Sequence, residues 1–278
     1  MDKILAPAKI NLGLDVLFRR PDGYHEVDMI MLSIGLADEL EFEPGPIIEL
    51  TCNHPNLPVN EENLIWKAVR LIQAEFGIIN GIKIKLNKKI PVAAGLAGGS
   101  TDAAATLIGL NRLWNLHLTQ AQLMTLGLKI GADVPFCILQ GTARAEGIGE
   151  KLTKIDSCLH GTMLLVTPNI AVATPEVYRR LQLSQIHHHP QIDLIIDALR
   201  NNNLNQLCAA WGNVLETAVL SCYPEVKWLK ELFAQCGVVA SLMSGSGPSV
   251  FGLNPTMEQV ALIVRQLPQD WFYCCSEY

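Results

Sequence analysis

A chain of 278 residues can bury a large core and suits one large domain or two smaller ones. With 49% hydrophobic and 17% charged residues it is globular rather than disordered. A formal net charge of -6 argues against broad binding to nucleic acid or to anionic membrane, and leaves room for a local basic pocket.

Residues 1–50 alternate apolar and polar positions around turn signals, as β-hairpins do. Lys9 to Leu17 reads as a strand, Arg20-Pro21-Asp22-Gly23 as a turn, and Val27 to Ile34 as the returning strand. Asn63 to Phe76 reads as a helix ended by Gly77. Ile82 to Leu86 is a strand, followed by a small-residue loop and a helix from near Ser100 through Asn111. A helix capped by Thr119 should run to about Ile130, and Gly141 to Lys151 reads as a strand pair with a Gly-rich turn.

A fresh apolar strand begins at Met163 to Val166. Helices fit Thr174 to Leu183, Asp193 to Arg200, Leu204 to Trp211 and Glu225 to Gln235. Ala240 to Ser244 and Pro248 to Leu253 fit a hairpin, and Thr256 to Gln266 a closing helix. The domain boundary is expected near residue 155, giving parts 1–155 and 156–278, with no long linker and so a cleft between packed domains.

The eight Cys include no Cys-x-x-Cys pair, so neither a zinc ribbon nor a disulfide framework is indicated, and reduced thiols in a cytoplasmic protein are expected. Asp2, Lys3, Lys9 and Asp15 interrupt the first apolar stretch, which therefore does not read as a signal or transit peptide. No window approaches the ~18–20 apolar residues of a membrane span. His187-His188-His189 precedes Pro190, and three successive side chains on a loop rarely converge on one metal.

The most informative stretch is Pro91-Val92-Ala93-Ala94-Gly95-Leu96-Ala97-Gly98-Gly99-Ser100-Thr101-Asp102. A strand-to-helix loop of small residues can turn its N–H groups toward an anion, and the helix adds free N–H groups and the positive end of its dipole. The same residues could serve close packing alone. No Lys stands between Gly95 and Thr101, so this is not a Walker A loop, and Gly-x-Gly-x-x-Gly is absent.

Four further segments could carry chemistry. Lys9 and Asn11 share a strand face, as a solvated edge or as a charge placed toward a substrate. Tyr24 and His25 lie in a turn, where such residues are usually exposed. They are also the pair to recognise a neutral pyrimidine, one ring stacking and one imidazole reading an edge. Asp133, between Gly131-Ala132 and Val134-Pro135-Phe136, is either a cap or a held ion. Ser244-Gly245-Ser246-Gly247-Pro248-Ser249 is a hairpin turn or a second anion nest.

The order of these segments is more telling than any one of them. Pro7-x-Lys9-x-Asn11, the small-residue loop ending in Ser100-Thr101, and Ser244-Gly-Ser-Gly-Pro248 resemble the three motifs of the GHMP kinases. That superfamily includes galactokinase, homoserine kinase, mevalonate kinase and phosphomevalonate kinase. Ala6 to Leu14, Arg20 to Glu26 and Gly131 to Phe136 are similar to the branch whose substrate carries cytidine, and the likeness spans nearly the whole chain.

The resemblance implies an α+β fold of two domains, the first like ribosomal protein S5 domain 2 and the second ferredoxin-like. It implies Mg-ATP-dependent phosphorylation of the 2-hydroxyl of 4-diphosphocytidyl-2-C-methyl-D-erythritol, in non-mevalonate isoprenoid precursor synthesis. The partner expected is this small molecule, with no nucleic acid, membrane or obligate protein partner. Asp133 would accept the hydroxyl proton, and Lys9 would lie beside it, keeping it ionised and neutralising phosphate charge.

Tyr24 and His25 would hold the cytosine, with Tyr178 as a second aromatic on the base and Thr174 in the same segment. Asn11 would lie near the diphosphate or erythritol. The 91–101 loop would wrap the ATP phosphates, and Asn63, Lys88 and Asp102 match positions on the nucleotide side. The Mg²⁺ ligands are not legible. The family loop is usually richer in Gly, so Ala93, Ala94 or Ala97 would be strained wherever φ must be positive.

Three rival readings stand beside this one, of which a metal-dependent hydrolase using His187-His188-His189 lacks a ligand frame. Another GHMP kinase, acting on homoserine or a mevalonate-type substrate, has no base to stack on Tyr24 and His25. A nucleotide-binding protein without catalysis has no need of Lys9 together with Asp133.

Overall fold

The computed structural model describes residues 2–238 and 240–278. By contact the chain forms two compact units. Of the described residues, one unit comprises 2–8, Leu36–Val92 and Ala97–Gln140, and the other Lys9–Gly35, Ala93–Leu96 and those from Gly141 to Tyr278. The long strands β1 (Asp2–Arg19) and β2 (His25–Gly45) each contribute to both.

In the first unit β3 (Ile48–Cys52) runs parallel to β4 (Gly81–Asn87), and β4 runs antiparallel to the second half of β2. The alternation in β4 buries Ile82, Ile84 and Leu86 and leaves Lys83 and Lys85 outside, where they pair with Glu49 and Glu41. Helix α1 (Leu64–Phe76) starts where Asn63 accepts the Ile65 N–H and stops at Gly77, left-handed at φ 63°.

Helix α2 (Gly98–Leu113) follows the small-residue loop and packs on α1. Thr119 and Gln122 close a capping box on α3 (Gln120–Leu128). Helix α4 (Val134–Leu139), which the sequence pattern does not reveal, packs on α2 and α3. Six residues are too few to show a helical period, but Pro135 in the first turn suits a helix start. Phe42, Ile65, Ile72 and Ile82 are among the fully buried side chains of this unit.

In the second unit β5 (Thr142–Gly147) joins β2 and β6 (Lys151–Lys154), all antiparallel. The four-stranded sheet contains β7 (Thr162–Thr167), β9 (Ser241–Met243), β10 (Val250–Leu253) and β11 (Phe272–Glu277). Its order β11-β7-β10-β9, antiparallel throughout, is that of a ferredoxin-like sheet.

Between β7 and β9 come α5 (Thr174–Arg180), α6 (Ile192–Arg200), α7 (Leu204–Ala210), β8 (Gly212–Asn213), α8 (Glu216–Val219) and α9 (Pro224–Gln235). Helix α10 (Met257–Val264), begun by a Thr256–Gln259 capping box, precedes β11. Helices α3, α5 and α10 end earlier than the pattern predicts, at Leu128, at Arg180, where Leu181 is extended, and at Val264. Among the described residues no helix is long and apolar enough to cross a membrane.

Candidate active site

The candidate residues fall into two groups, one in each unit. In the second unit β1 lies between β2 and β8, and residues 9–16 of β1 are buried at every position, on both faces of the strand. Lys9 is therefore only 6% exposed and Asn11 0%, which rules out a solvated edge. The Lys9 ammonium donates to Asn11 Oδ1 at 2.7 Å, and Asn11 Nδ2 contacts Met29 Sδ at 3.4 Å. Asn11 thus orients a buried cation.

The apex of the small-residue loop, Ala93–Leu96, belongs to this second unit. Lys9 N–H donates to the Leu96 carbonyl at 3.2 Å. The Ser244 hydroxyl donates to the Gly95 carbonyl at 3.0 Å. Ser244, Ser246 and Ser249 are buried, so the 244–249 turn is an internal element and not an exposed hairpin end.

His25 and Tyr178 lie together, with ring centroids 5.1 Å apart and planes tilted by 32°. A base between two rings needs about 7 Å, two van der Waals spacings, so none fits between these two as they stand. Burial, aided by the Arg19 charge, lowers the His25 pKa below its ordinary value and favours the neutral imidazole. A neutral ring offers one donor and one acceptor to a base edge. Tyr24 is 62% exposed, and the exposed Thr174 shares a 2.8 Å hydroxyl contact with Ser246.

In the first unit the loop leads into α2. Its first-turn residues Gly98, Gly99 and Ser100 present N–H groups at the positive end of the dipole. Ala97, at the N-cap, takes φ 56°, and Ala93 takes φ 54°. Two of the three alanines thus occupy the left-handed region, whereas Ala94 does not. Thr101 is turned inward, its hydroxyl donating to the Pro7 carbonyl at 2.8 Å.

Asn63 is occupied by its cap and by donation to the Pro58 carbonyl at 2.7 Å. Lys88 sits between Asp38 at 2.5 Å and Asp102 at 2.6 Å, and all three side chains are at most 4% exposed. Asp38, which the sequence pattern did not single out, also accepts the Lys89 and Ile90 N–H groups at 2.5 and 2.8 Å. It therefore fixes the stem of the loop. Asp133 is half-buried at the N-cap of α4 with no side-chain cap bond, so the carboxylate is not spent on capping.

The triad holds two carboxylates for one ammonium. Burial would lower the Lys88 pKa, but Asp102 and Asp38 outweigh it and leave it raised. Burial pushes Asp102 up to about 7 against the pull of Lys88, with Asp38 adding to the rise. Asp102 Oδ1 has no hydrogen-bond partner among the described residues.

From an ordinary value of 3.8 to a folded value of about 7, the folded state holds the extra proton. This contribution is fully present below the ordinary value and is lost as pH rises through about 7. Asp102→Asn should flatten that slope, so that the variant gains on the parent as pH rises from 5 to 8. Urea unfolding from pH 5 to pH 8 measures it, and a variant whose stability falls as steeply with pH as the parent's would contradict the raised Asp102 pKa.

The GHMP kinases N terminal domain model matches residues 63–141, and the GHMP kinases C terminal model matches residues 189–274. The 4-diphosphocytidyl-2-C-methyl-D-erythritol kinase of Bacillus velezensis is 50% identical over 94% of this chain and 91% of its own length. That of Bacillus subtilis is 49% identical over the same shares. The chain belongs to the 4-diphosphocytidyl-2-C-methyl-D-erythritol kinase family of GHMP kinases.

A crystal structure of 4-(cytidine 5'-diphospho)-2C-methyl-D-erythritol kinase agrees, with a TM-score of 0.84, 33% identity and coverage of 99% of this chain and 98% of that one. The homoserine kinase of Cytophaga hutchinsonii, at 19% identity and a TM-score of 0.77, covering 99% and 93%, shares the fold. The expected two-domain GHMP kinase fold of mixed α and β elements is thus borne out.

Proposed function

We propose that this kinase transfers the γ-phosphoryl group of ATP to the 2-hydroxyl of 4-diphosphocytidyl-2-C-methyl-D-erythritol, giving the 2-phosphate and ADP. The step belongs to methylerythritol phosphate isoprenoid precursor synthesis. The observation that carries the substrate is the His25–Tyr178 ring pair, which homoserine or mevalonate would leave unused.

Asp133 accepts the hydroxyl proton as the bond to phosphorus forms. The buried Lys9 supplies positive charge against the phosphates. Asn11 orients Lys9. Neutral His25 reads the cytosine edge, Tyr24 and Tyr178 offer stacking faces, and Thr174 lies on the same segment as Tyr178.

The loop from Pro91 to Thr101 wraps the ATP phosphates, with Asn63, Lys88 and Asp102 on the nucleotide side. Positioning and charge neutralisation carry most of the rate in phosphoryl transfer. Among the described residues no three His, Cys, Asp or Glu side chains form a metal cluster. Mg²⁺ ordinarily needs only one or two protein groups beside the phosphates, so it fits as the ion that arrives with ATP and neutralises its charge. We place the boundary between the N-terminal and C-terminal parts near residue 155, between the matches that end at 141 and begin at 189.

Base–aromatic stacking is worth about 1–3 kcal/mol, so Tyr24→Ala or Tyr178→Ala should raise the KM for the cytidylyl substrate by about 5- to 150-fold. The KM for ATP should not move. Steady-state kinetics with each substrate varied in turn measures the split, and an equal rise for ATP would sink the pocket assignment.

A further inference from the structure

Asn213 is 6% exposed and lies in β8. Its amide makes a two-sided clamp. Nδ2 donates to the Met243 carbonyl at 2.8 Å and to the Gly245 carbonyl at 2.7 Å, while Oδ1 accepts the Leu215 N–H at 3.0 Å. Both amide hydrogens are thus spent on one end of the 244–249 turn.

The other side of the clamp is the strand that carries Lys9. β8 pairs in parallel with β1, Leu14 opposite Asn213, and Val214 N–H donates to the Leu14 carbonyl at 3.0 Å. Asn213 therefore fixes the turn relative to β1. Glu216 reinforces it from the same segment, accepting the Met243 N–H at 2.9 Å and pairing with Lys230.

The turn has no slack where it is held. A Cβ on Gly245, which takes φ 55°, would stand 3.1 Å from Lys9 Nζ and 2.9 Å from the Gly95 carbonyl oxygen. Ser244, next to it, donates to that same Gly95 oxygen. A displacement of the turn by a fraction of an ångström would move both the lysine and the loop apex.

We infer that Asn213 is a positioning residue for phosphoryl transfer, holding the 243–245 backbone so that Lys9 and the loop apex at Gly95 stay in place. The inference rests on the roles proposed above for Lys9 and the loop. It assigns Asn213 no contact with substrate.

Asn213→Asp keeps the shape and turns the donor into an acceptor facing two carbonyl oxygens. In the full chain it should lower kcat and raise the KM for ATP, each by about 10- to 100-fold. The KM for the cytidylyl substrate, which His25 and Tyr178 govern, should stay within about threefold, a split that a merely structural residue would not produce. Ser244→Ala leaves the clamp intact and removes only the bond to Gly95. It should raise the ATP KM by about three- to tenfold, and it carries the test if Asn213→Asp does not fold.

A folded Asn213→Asp with the parent's kcat and ATP KM overturns the inference. So does an equal rise in both KM values, or an unchanged ATP KM in Ser244→Ala. Lys9→Ala separates the two levels. Full kcat in Lys9→Ala overturns the underlying reading and the inference with it, whereas loss of kcat there beside an unaffected Asn213→Asp overturns the inference alone.

Discussion

Asp133→Asn should lower kcat by about 10²–10⁴-fold, the ordinary cost of removing a general base. The substitution is nearly isosteric, and the native carboxylate makes no cap bond to α4, so no helix start is lost with it. Thermal unfolding should match the parent, and both KM values should stay within about threefold, because the interaction removed is one made in the transition state. A folded variant with full kcat would remove Asp133 from the chemistry. A raised substrate KM at unchanged kcat would make it a binding residue instead.

Gly95→Ala should be the most damaging single change in the loop. Gly95 takes φ 74°, and an added Cβ would lie 2.2 Å from the Ser244 carbonyl oxygen and 2.9 Å from that of Gly247. Those neighbours are backbone atoms and cannot swing aside like a side chain. Left-handed strain and overpacking together should cost about 2–4 kcal/mol. Any folded fraction should bind ATP at least about tenfold more weakly, since the loop apex can only move away from the turn. Chemical denaturation and ATP titration measure the two effects, and parent-like stability would mean that the loop and turn are not packed as described.

The local signals were legible because they act over a few residues. Asn63 with Gly77, Thr119 with Gln122, and Thr256 with Gln259 mark helix ends through bonds spanning at most a turn. The alternation at Ile82, Ile84 and Leu86 marked β4 for the same reason, and so located the loop behind it. The strand β11 was missed because its residues are mostly exposed or half-buried and show no apolar alternation.

Residues that act at a distance in sequence were not legible. Asp38 meets its partners at Lys88, Lys89 and Ile90, separated by 50, 51 and 52 positions. Asn213 meets Met243 and Gly245 after 30 and 32. Nothing in the local pattern distinguishes either from a surface polar residue. The burial of Lys9 and Asn11 was equally hidden, because the spacing of two residues on a strand shows that they share a face and not whether that face is covered. The alanines of the loop stood out for their backbone demand, which Ala93 and Ala97 meet at positive φ and Ala94 escapes.

The central claim is the identity of the acceptor. Phosphoryl transfer from Mg-ATP should be measured in parallel on 4-diphosphocytidyl-2-C-methyl-D-erythritol, on its cytidine-free analogue 2-C-methyl-D-erythritol 4-phosphate, and on homoserine. Turnover of the cytidylyl compound alone is the predicted result. Turnover of homoserine, or ATP binding without transfer to any of the three, would contradict it.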